Sequence, residues 1–519
     1  MSITATRLLP LSVILLGWLV FLWGIQRELP YEPFIDEPIF VQRAIHMAST
    51  GDPNPRWFGN PGSTTIYPLA AIYHFWFGLI ESGSILRPDP RLAVNFATDA
   101  SIYYLIGRLL TIAYGLLTVA LTFVLGRKAV GREAGLLASL LLIFYPTFVW
   151  HTTVVRTDTS AMFFVALALW FCYQMTDEPR LRHFVLAGSA MGLALSSRYL
   201  MISIYAVYAG FFLLSVQRWR QEGKLLVAWK GLAVGGLVSA VLFALSSPFF
   251  FLDFNTAWQN LLVEARSTHI GADGLNYWER TAWYLTMAIP QSIKSLQVIA
   301  LFAGIGWSIY QRDHRLLMLT AFLLVYVATI SVPALHWQRW TIQISPVLSL
   351  LVAYGVDRVF RQLAVKHLSE RSYRWAMSAL ICILLFQPAL QTAVTVTKLR
   401  STSTRIEARE WIVQNVSPGS RFIAELYTAP LTGEPFSVTI QNFLPDKPFE
   451  SYFSGDFDFV MTSSEISNRF VADPARYGPQ IDFYEQLSHL PLVHEFIPGQ
   501  WQSGSTIRIY KLSPSESKP

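Results

Sequence analysis

A polytopic α-helical membrane protein with a small α/β domain at its C-terminal end is the fold class this sequence predicts, and three observations predict it. Of the 519 residues, 53% are hydrophobic and only 14% charged, against about 25% charged in an ordinary soluble domain. The apolar residues fall in runs long enough to cross a bilayer, and the basic residues between those runs alternate in number. From Ser401 onward the composition becomes that of a soluble domain. The net charge of +6 needs no nucleic acid to explain it, because basic residues collect in the cytoplasmic loops of membrane proteins. Cys172 and Cys382 both lie inside apolar runs, so no disulfide framework is implied.

Windows of roughly 20 apolar residues give about eleven spans. They are Leu8–Ile25, Ile102–Leu125, Glu133–Trp150, Ser160–Met175, Phe184–Ser196, Leu200–Val216, Trp229–Ser246, Ser292–Tyr310, Leu316–Val332, Ile342–Phe360 and Trp375–Leu390. The first has Arg7 before it and no small-residue cleavage site after it, so it is expected to be an uncleaved span. One set of loops carries Arg127, Lys128 and Arg132, then Arg180 and Arg182, then Arg218, Arg220 and Lys224, then Arg312 and Arg315, then Arg358, Arg361, Lys366 and Arg371. The alternate short loops carry only Arg156, Arg198 and Arg339. The positive-inside rule then places the N-terminus in the cytoplasm and the C-terminal tail outside.

Three regions on the outer side are long: 26–101, 248–280 and the tail, 401–519. In the first, Ile66–Leu79 is apolar but short for a bilayer, which fits an interfacial or re-entrant helix. The second contains an amphipathic stretch. In the tail, Arg405–Asn415 has helical spacing and Asp482–Leu487 fits a second helix, whereas Arg421–Glu425, Phe457–Thr462, Leu492–Phe496 and Thr506–Leu512 have strand length and pattern. The chain divides accordingly into a membrane domain, 1–400, and a soluble α/β domain, 401–519.

Asp36 and Glu37 stand together just beyond the first span. An Asp-Glu dipeptide in a loop is commonly only solvated, but at a membrane surface it can also face an acceptor hydroxyl or a cation. The three isolated outer arginines have no topological reason to be there. Each could simply snorkel to headgroups, or serve a site, as ionisable groups at membrane depth generally do. Asp158 lies two residues after Arg156, where it could pair with that arginine, cap the following helix or act chemically. Outward carboxylates with scattered arginines suit an anionic substrate at the interface, since guanidinium recognises phosphate bidentately. A lipid-phosphate sugar has that shape. A carboxylate would take the acceptor's proton while cations stabilise the departing phosphate. His46, His74, His151 and His336 show no metal-ligand spacing.

Four stretches resemble the GT-C-type integral-membrane glycosyltransferases of the protein O-mannosyltransferase and aminoarabinose-transferase type, in a bacterial form. FIDEPIFVQRA is similar to the family's acidic motif, with Asp36 in the place of the catalytic carboxylate and Glu37 beside it. GNPGSTTIYPLAAIYHF resembles a His-Pro-Pro-Leu-Tyr-Tyr-like segment, with Ser63, Thr64 and Thr65 where prolines would stand. In the stretch Tyr104–Phe164, Arg108, Pro146 and Asp158 fall on recurring positions. WQRWTIQISPVLSLLVAYGV resembles a late-span Arg-Tyr…Pro pattern, with Trp340 for the tyrosine. Arg198 stands where such enzymes commonly carry a lysine, and STHIG resembles a loop near the lipid phosphate, bringing in Arg266 and His269.

The resemblance implies transfer of a sugar from a polyprenyl-phosphate donor to a lipid, glycan or protein hydroxyl outside the cell membrane, with inversion at the anomeric carbon. Asp36, Glu37 and Asp158 are the expected catalytic residues. Arg156, Arg198, Arg266, His269 and Arg339 are expected around the donor phosphate. A divalent ion, if one takes part, would sit at Asp36 and Glu37. Two other classes stay open: a transporter or flippase of an anionic glycolipid, and a non-catalytic scaffold working through its C-terminal domain.

Overall fold

The computed structural model describes residues 3–31, 33, 36–82, 99–265, 274–364, 368–454 and 456–512. Each expected span coincides with a helix. In order these are Ile3–Leu22, Ser101–Ala129, the pair Arg132–Ile143 and Pro146–Thr152, Asp158–Asp177, Leu181–Ser197, Ser203–Gln221, Leu225–Ser246, Ser295–Tyr310, His314–Ile330, Ser345–Ala364 and Glu370–Arg400. Two of the apolar runs are broken. Tyr145 precedes a proline and takes an extended conformation (φ −81°, ψ 111°), because the ring of Pro146 disfavours a helical residue before it. The chain bends there by 66°. Lys294, at φ 69°, separates the helical stretch Tyr277–Ile293 from Ser295–Tyr310, and the bend between them is 117°.

Among the described residues, six helices are long and apolar enough to cross a membrane alone, or up to eight if each bent pair is one span. This is fewer than the expected eleven or so. Pro10–Leu22 and His314–Ile330 fall short in length.

Close helix contacts rest on small residues. A β-carbon at Gly188 would collide with the backbone of Gly235, and one at Gly192 with the carbonyl of Ser239. The helices Leu181–Ser197 and Leu225–Ser246 therefore pack backbone to backbone, the small-residue mode of membrane helices.

The loop after the first span folds into two helices, Asp36–Thr50 and Ser63–Glu81, packed on each other through Phe40, Val41, Ala44, Ile66 and Leu69. The amphipathic stretch of the second long loop forms Phe254–Ala265, with Phe254, Trp258 and Leu262 exposed.

The tail opens with helix Thr404–Asn415, whose Ala408 and Ile412 are buried. It continues into a five-stranded sheet of order β2-β1-β3-β5-β4. The strands are β1 (Arg421–Glu425), β2 (Ser437–Gln441), β3 (Phe459–Ser463), β4 (Leu492–Phe496) and β5 (Ile507–Lys511). β1 runs parallel to β2 and β3, while β5 is antiparallel to β3 and β4. β2 was not expected. It lies at the sheet edge with Ser437, Thr439 and Ile440 exposed, so it lacks the apolar alternation that marks a half-buried strand. Helix Ser464–Val471 was also not expected, and Asp482–Leu487 is the second half of a longer helix, Pro474–Ser488.

Candidate active site

Asp36 is the first residue of its helix, where the unpaired N–H groups favour a negative charge. Its carboxylate is met by two guanidiniums from remote parts of the chain. Arg156, from the link between Pro146–Thr152 and Asp158–Asp177, forms an ion pair with Asp36 Oδ2. Arg339, from the 3-10 turn Gln338–Ile344, donates to the same oxygen at 3.2 Å. Arg339 stacks on Trp337, 5.4 Å from the ring centre, and Arg156 lies 3.4 Å from His151 Nδ1.

Asp158 begins the adjoining helix but does not cap it; no side-chain cap bond forms at that end. Its Oδ1 accepts from Arg198 and, at 2.9 Å, from Gln343 Nε2. Tyr326 Oη lies 3.0 Å from Gln343 Oε1 and 2.9 Å from the Trp340 carbonyl, and its single proton is shared between these two acceptors. That contact orients the amide so that its N–H₂ faces Asp158. Of the alternatives open for Asp158, the pair with Arg156 does not form; two separate pairs form instead, Arg156 with Asp36 and Arg198 with Asp158. Arg156 and Arg198 are each only 7% exposed, so they do not snorkel to solvent or headgroups.

Glu37 has a different place from the one expected beside Asp36. Successive helical residues point about 100° apart, since 3.6 residues make a turn, and Glu37 turns inward. Its Oε1 accepts from Arg108 Nε and from the Val155 amide, both at 2.9 Å. Its Oε2 accepts from Arg108 Nη2 at 2.7 Å and from Arg27 Nη2 at 3.5 Å. Burial pushes the carboxyl's pKa up, but Arg108 and then Arg27 outweigh it and hold the group below its usual value. Four donors occupy a carboxylate with roughly four lone-pair directions, leaving nothing for a substrate or a metal. Asp36, facing two guanidiniums, is an equally poor cation ligand. The pair Asp36 and Glu37 does not fit a divalent ion, and no group of three or more His, Cys, Asp or Glu side chains suited to a metal occurs among the described residues. Arg266 and His269 lie outside the described residues.

The hydroxyls at the departure from the expected prolines have a role of their own. Thr64 Oγ1 contacts Ser197 Oγ at 2.6 Å and Ser160 Oγ at 3.0 Å, tying the Ser63–Glu81 helix to the segments that carry Arg198 and Asp158.

Sequence reasoning missed two contributors. Gln343 is a polar residue inside an apolar run, which is itself a signal at membrane depth. Tyr427, in the loop after β1, lines a small recess together with Arg27 and Trp150, Arg27 being one of the partners of Glu37. Nothing local in the tail marks it. The tail is held there by Arg405, whose Nη1 donates to Glu28 Oε2 at 2.8 Å and whose Nε donates to the Thr428 carbonyl at 3.0 Å.

Residues 105–248 match the model of the dolichyl-phosphate-mannose-protein mannosyltransferase family, a stretch that includes Arg108, Arg156, Asp158 and Arg198 but not Asp36 or Arg339. No curated protein matches the chain. Among solved structures, ArnT from Cupriavidus metallidurans is similar over 100% of both chains at 14% identity, with a TM-score of 0.57 in the apo state and 0.54 with undecaprenyl phosphate bound. The Archaeoglobus fulgidus oligosaccharyltransferase tethered to an acceptor peptide is similar over 98% of this chain and 74% of its own, at 11% identity and a TM-score of 0.53. The fold is the GT-C membrane fold.

Proposed function

We propose that this GT-C-fold chain is a membrane glycosyltransferase that moves a sugar from a polyprenyl-phosphate donor to a lipid, glycan or protein hydroxyl on the extracytoplasmic face of a bacterial cell membrane. The N-terminus is then cytoplasmic and residues 401–519 form an extracytoplasmic domain. The observation that carries the reading is the meeting of Arg156 and Arg339 on the Asp36 carboxylate, beside the Arg198–Asp158 pair.

Guanidiniums are planar forks matched to phosphate oxygens. A donor phosphate entering this site competes with Asp36 for Arg156 and Arg339. Once displaced, the Asp36 carboxylate accepts the proton of the acceptor hydroxyl. The acceptor oxygen then bonds to the anomeric carbon from the face opposite the phosphate, and the C–O bond to phosphate breaks with its electron pair staying on the phosphate oxygen. The guanidiniums stabilise that charge as it develops, and the sugar's configuration inverts. Asp158 holds Arg198 in place for the same phosphate, and Glu37 positions its neighbours without touching substrate.

The test is release of polyprenyl phosphate from radiolabelled polyprenyl-phosphate sugars by the purified chain with membrane lipids as acceptors, wild type against Asp36→Asn. Loss of a positioned base lowers turnover by about 10²-fold or more. Full activity in Asp36→Asn removes the central assignment. Donor binding without release in the wild type points to a flippase or to an acceptor absent from the membrane lipids supplied, such as a protein.

A further inference from the structure

Beside the transfer site lies a recess that the donor chemistry leaves unused. It is a cleft of about 560 Å³, walled on one side by Pro33, Pro38 and Gln42 and on the other by the loop 426–434 with Phe436, Val438 and Ile440. Its volume falls in the range of roughly 300–1,000 Å³ usual for ligand sites.

The charged residues on its walls are engaged within the protein. Arg405 pairs with Glu28 at 2.8 Å and Glu434 with Arg409. Glu425 accepts from the amides of Ser463 at 3.1 Å and Leu444 at 3.4 Å and from the Tyr484 hydroxyl. Apart from these engaged groups, the cleft offers a ligand proline rings, the rings of Tyr427 and Phe436 and aliphatic side chains, with the exposed Thr432 at its rim. Apolar C–H faces with hydroxyls around their edge are the surface of a sugar ring, and flat apolar walls with a few polar groups are what binds one. An acidic chain would meet no unpaired cation among the described lining residues.

The wall is built in advance. Arg405 fixes the loop through the Thr428 carbonyl. Tyr427 sits at φ 68°, a left-handed conformation that its β-carbon disfavours. Arg469 holds it there, donating to Tyr427 Oη at 3.0 Å with its guanidinium 5.3 Å from the ring. The cleft adjoins the Asp36 site, since Pro38 on its wall is two residues from Asp36 on the same helix, and Tyr427 lines both the cleft and a smaller recess beside Arg27 and Trp150.

We propose that this cleft binds the acceptor, and that the acceptor is a neutral carbohydrate chain whose terminal hydroxyl passes Tyr427 to reach Asp36. The proposal rests on the transferase reading, but its test does not need turnover. The full-length protein in nanodiscs is titrated, with saturation-transfer NMR as the readout, against neutral glucose, galactose and mannose hexamers of both anomeric linkages, an acidic galacturonate hexamer and an uncharged Thr/Pro-rich octapeptide. At least one neutral hexamer binds, and Ile440→Glu weakens it at least tenfold. Ile440 is 57% exposed, so the substitution is compatible with folding, and Phe436→Ala serves as a second variant that adds no charge. Asp36→Asn retains the binding. Binding of only the acidic hexamer or only the peptide overturns the proposal, as does binding of no probe, or binding indifferent to both cleft variants. Absence of donor cleavage in the wild type when the bound neutral hexamer is supplied as acceptor overturns the transferase reading and leaves the carbohydrate cleft standing.

Discussion

Glu37 and Arg108, 71 residues apart, meet in a two-pronged ion pair at 2.9 and 2.7 Å in which neither side chain has any exposed surface. The consequence lies one residue away on each side. Glu37 is bonded to Asp36, and the Val155 amide that it accepts is bonded to Arg156. One buried carboxylate thus sets the relative position of the two residues that form the candidate base and its cationic partner.

Glu37→Gln tests that arrangement. The amide cannot neutralise Arg108 and Arg27, and leaving one side of a buried ion pair without its partner costs about 3–5 kcal/mol. The variant is expected to melt well below the wild type in detergent and to lose transfer activity. Arg108→Lys, which keeps the charge but not the fork, falls between them. A wild-type melting curve for Glu37→Gln would show that the pair does not organise the site.

The Asp158 set makes a milder prediction. Tyr326 orients Gln343, and Gln343 donates to Asp158 at 2.9 Å. Tyr326→Phe removes one hydroxyl without opening a cavity, at a cost of about 1 kcal/mol for a lost hydrogen bond. Donor affinity is expected to fall about fivefold with the melting temperature little changed. An unchanged donor Kd would mean that the amide needs no help to face Asp158.

The arginines themselves separate phosphate recognition from simple charge. Arg339→Lys keeps the positive charge next to Asp36 but loses the planar fork. Its side chain is 31% exposed, so folding should survive. Transfer is expected to drop by about 10–100-fold, the scale of losing one preorganised donor to a developing charge. Turnover equal to the wild type would mean that Arg339 acts on the phosphate as a point charge only.

Much of this was legible in the sequence because the signals are local. Apolar runs located the helices, and counting basic residues by loop left Arg156, Arg198 and Arg339 as exceptions, which the structure gathers around Asp36 and Asp158. The pairings were not legible, because Arg339 lies 303 residues from the carboxylate it meets and no spacing rule reaches so far. Glu37 looked like a second catalytic carboxylate because sequence shows adjacency but not the turn of a helix. Tyr427 gave no sign, since its place depends on the docking of a whole sheet through Arg405. β2 was hidden by its edge position, where exposure on both faces erases the pattern.

Glu425, at the end of β1, offers a pH test of the tail. Burial pushes its carboxyl up to about 7, only partly offset by the Tyr484 hydroxyl and the amides of Ser463 and Leu444. The ordinary value is 4.5. In this window the folded state holds a proton that the unfolded chain has released, so stability falls as pH rises. The contribution is fully present below pH 4.5 and lost by the time pH passes about 7, an effect of about 3 kcal/mol at 1.36 kcal/mol per unit. Glu425→Gln mimics the protonated form and removes the titration. The variant should unfold like the wild type at pH 5 and become the more stable of the two at pH 8, as read from limited proteolysis or thermal unfolding of the tail across that range. Because Glu425 directly precedes the loop that carries Tyr427, the same range should loosen that loop in the wild type and not in the variant. Parallel pH profiles for the two proteins would show that Glu425 is ionised in the fold throughout.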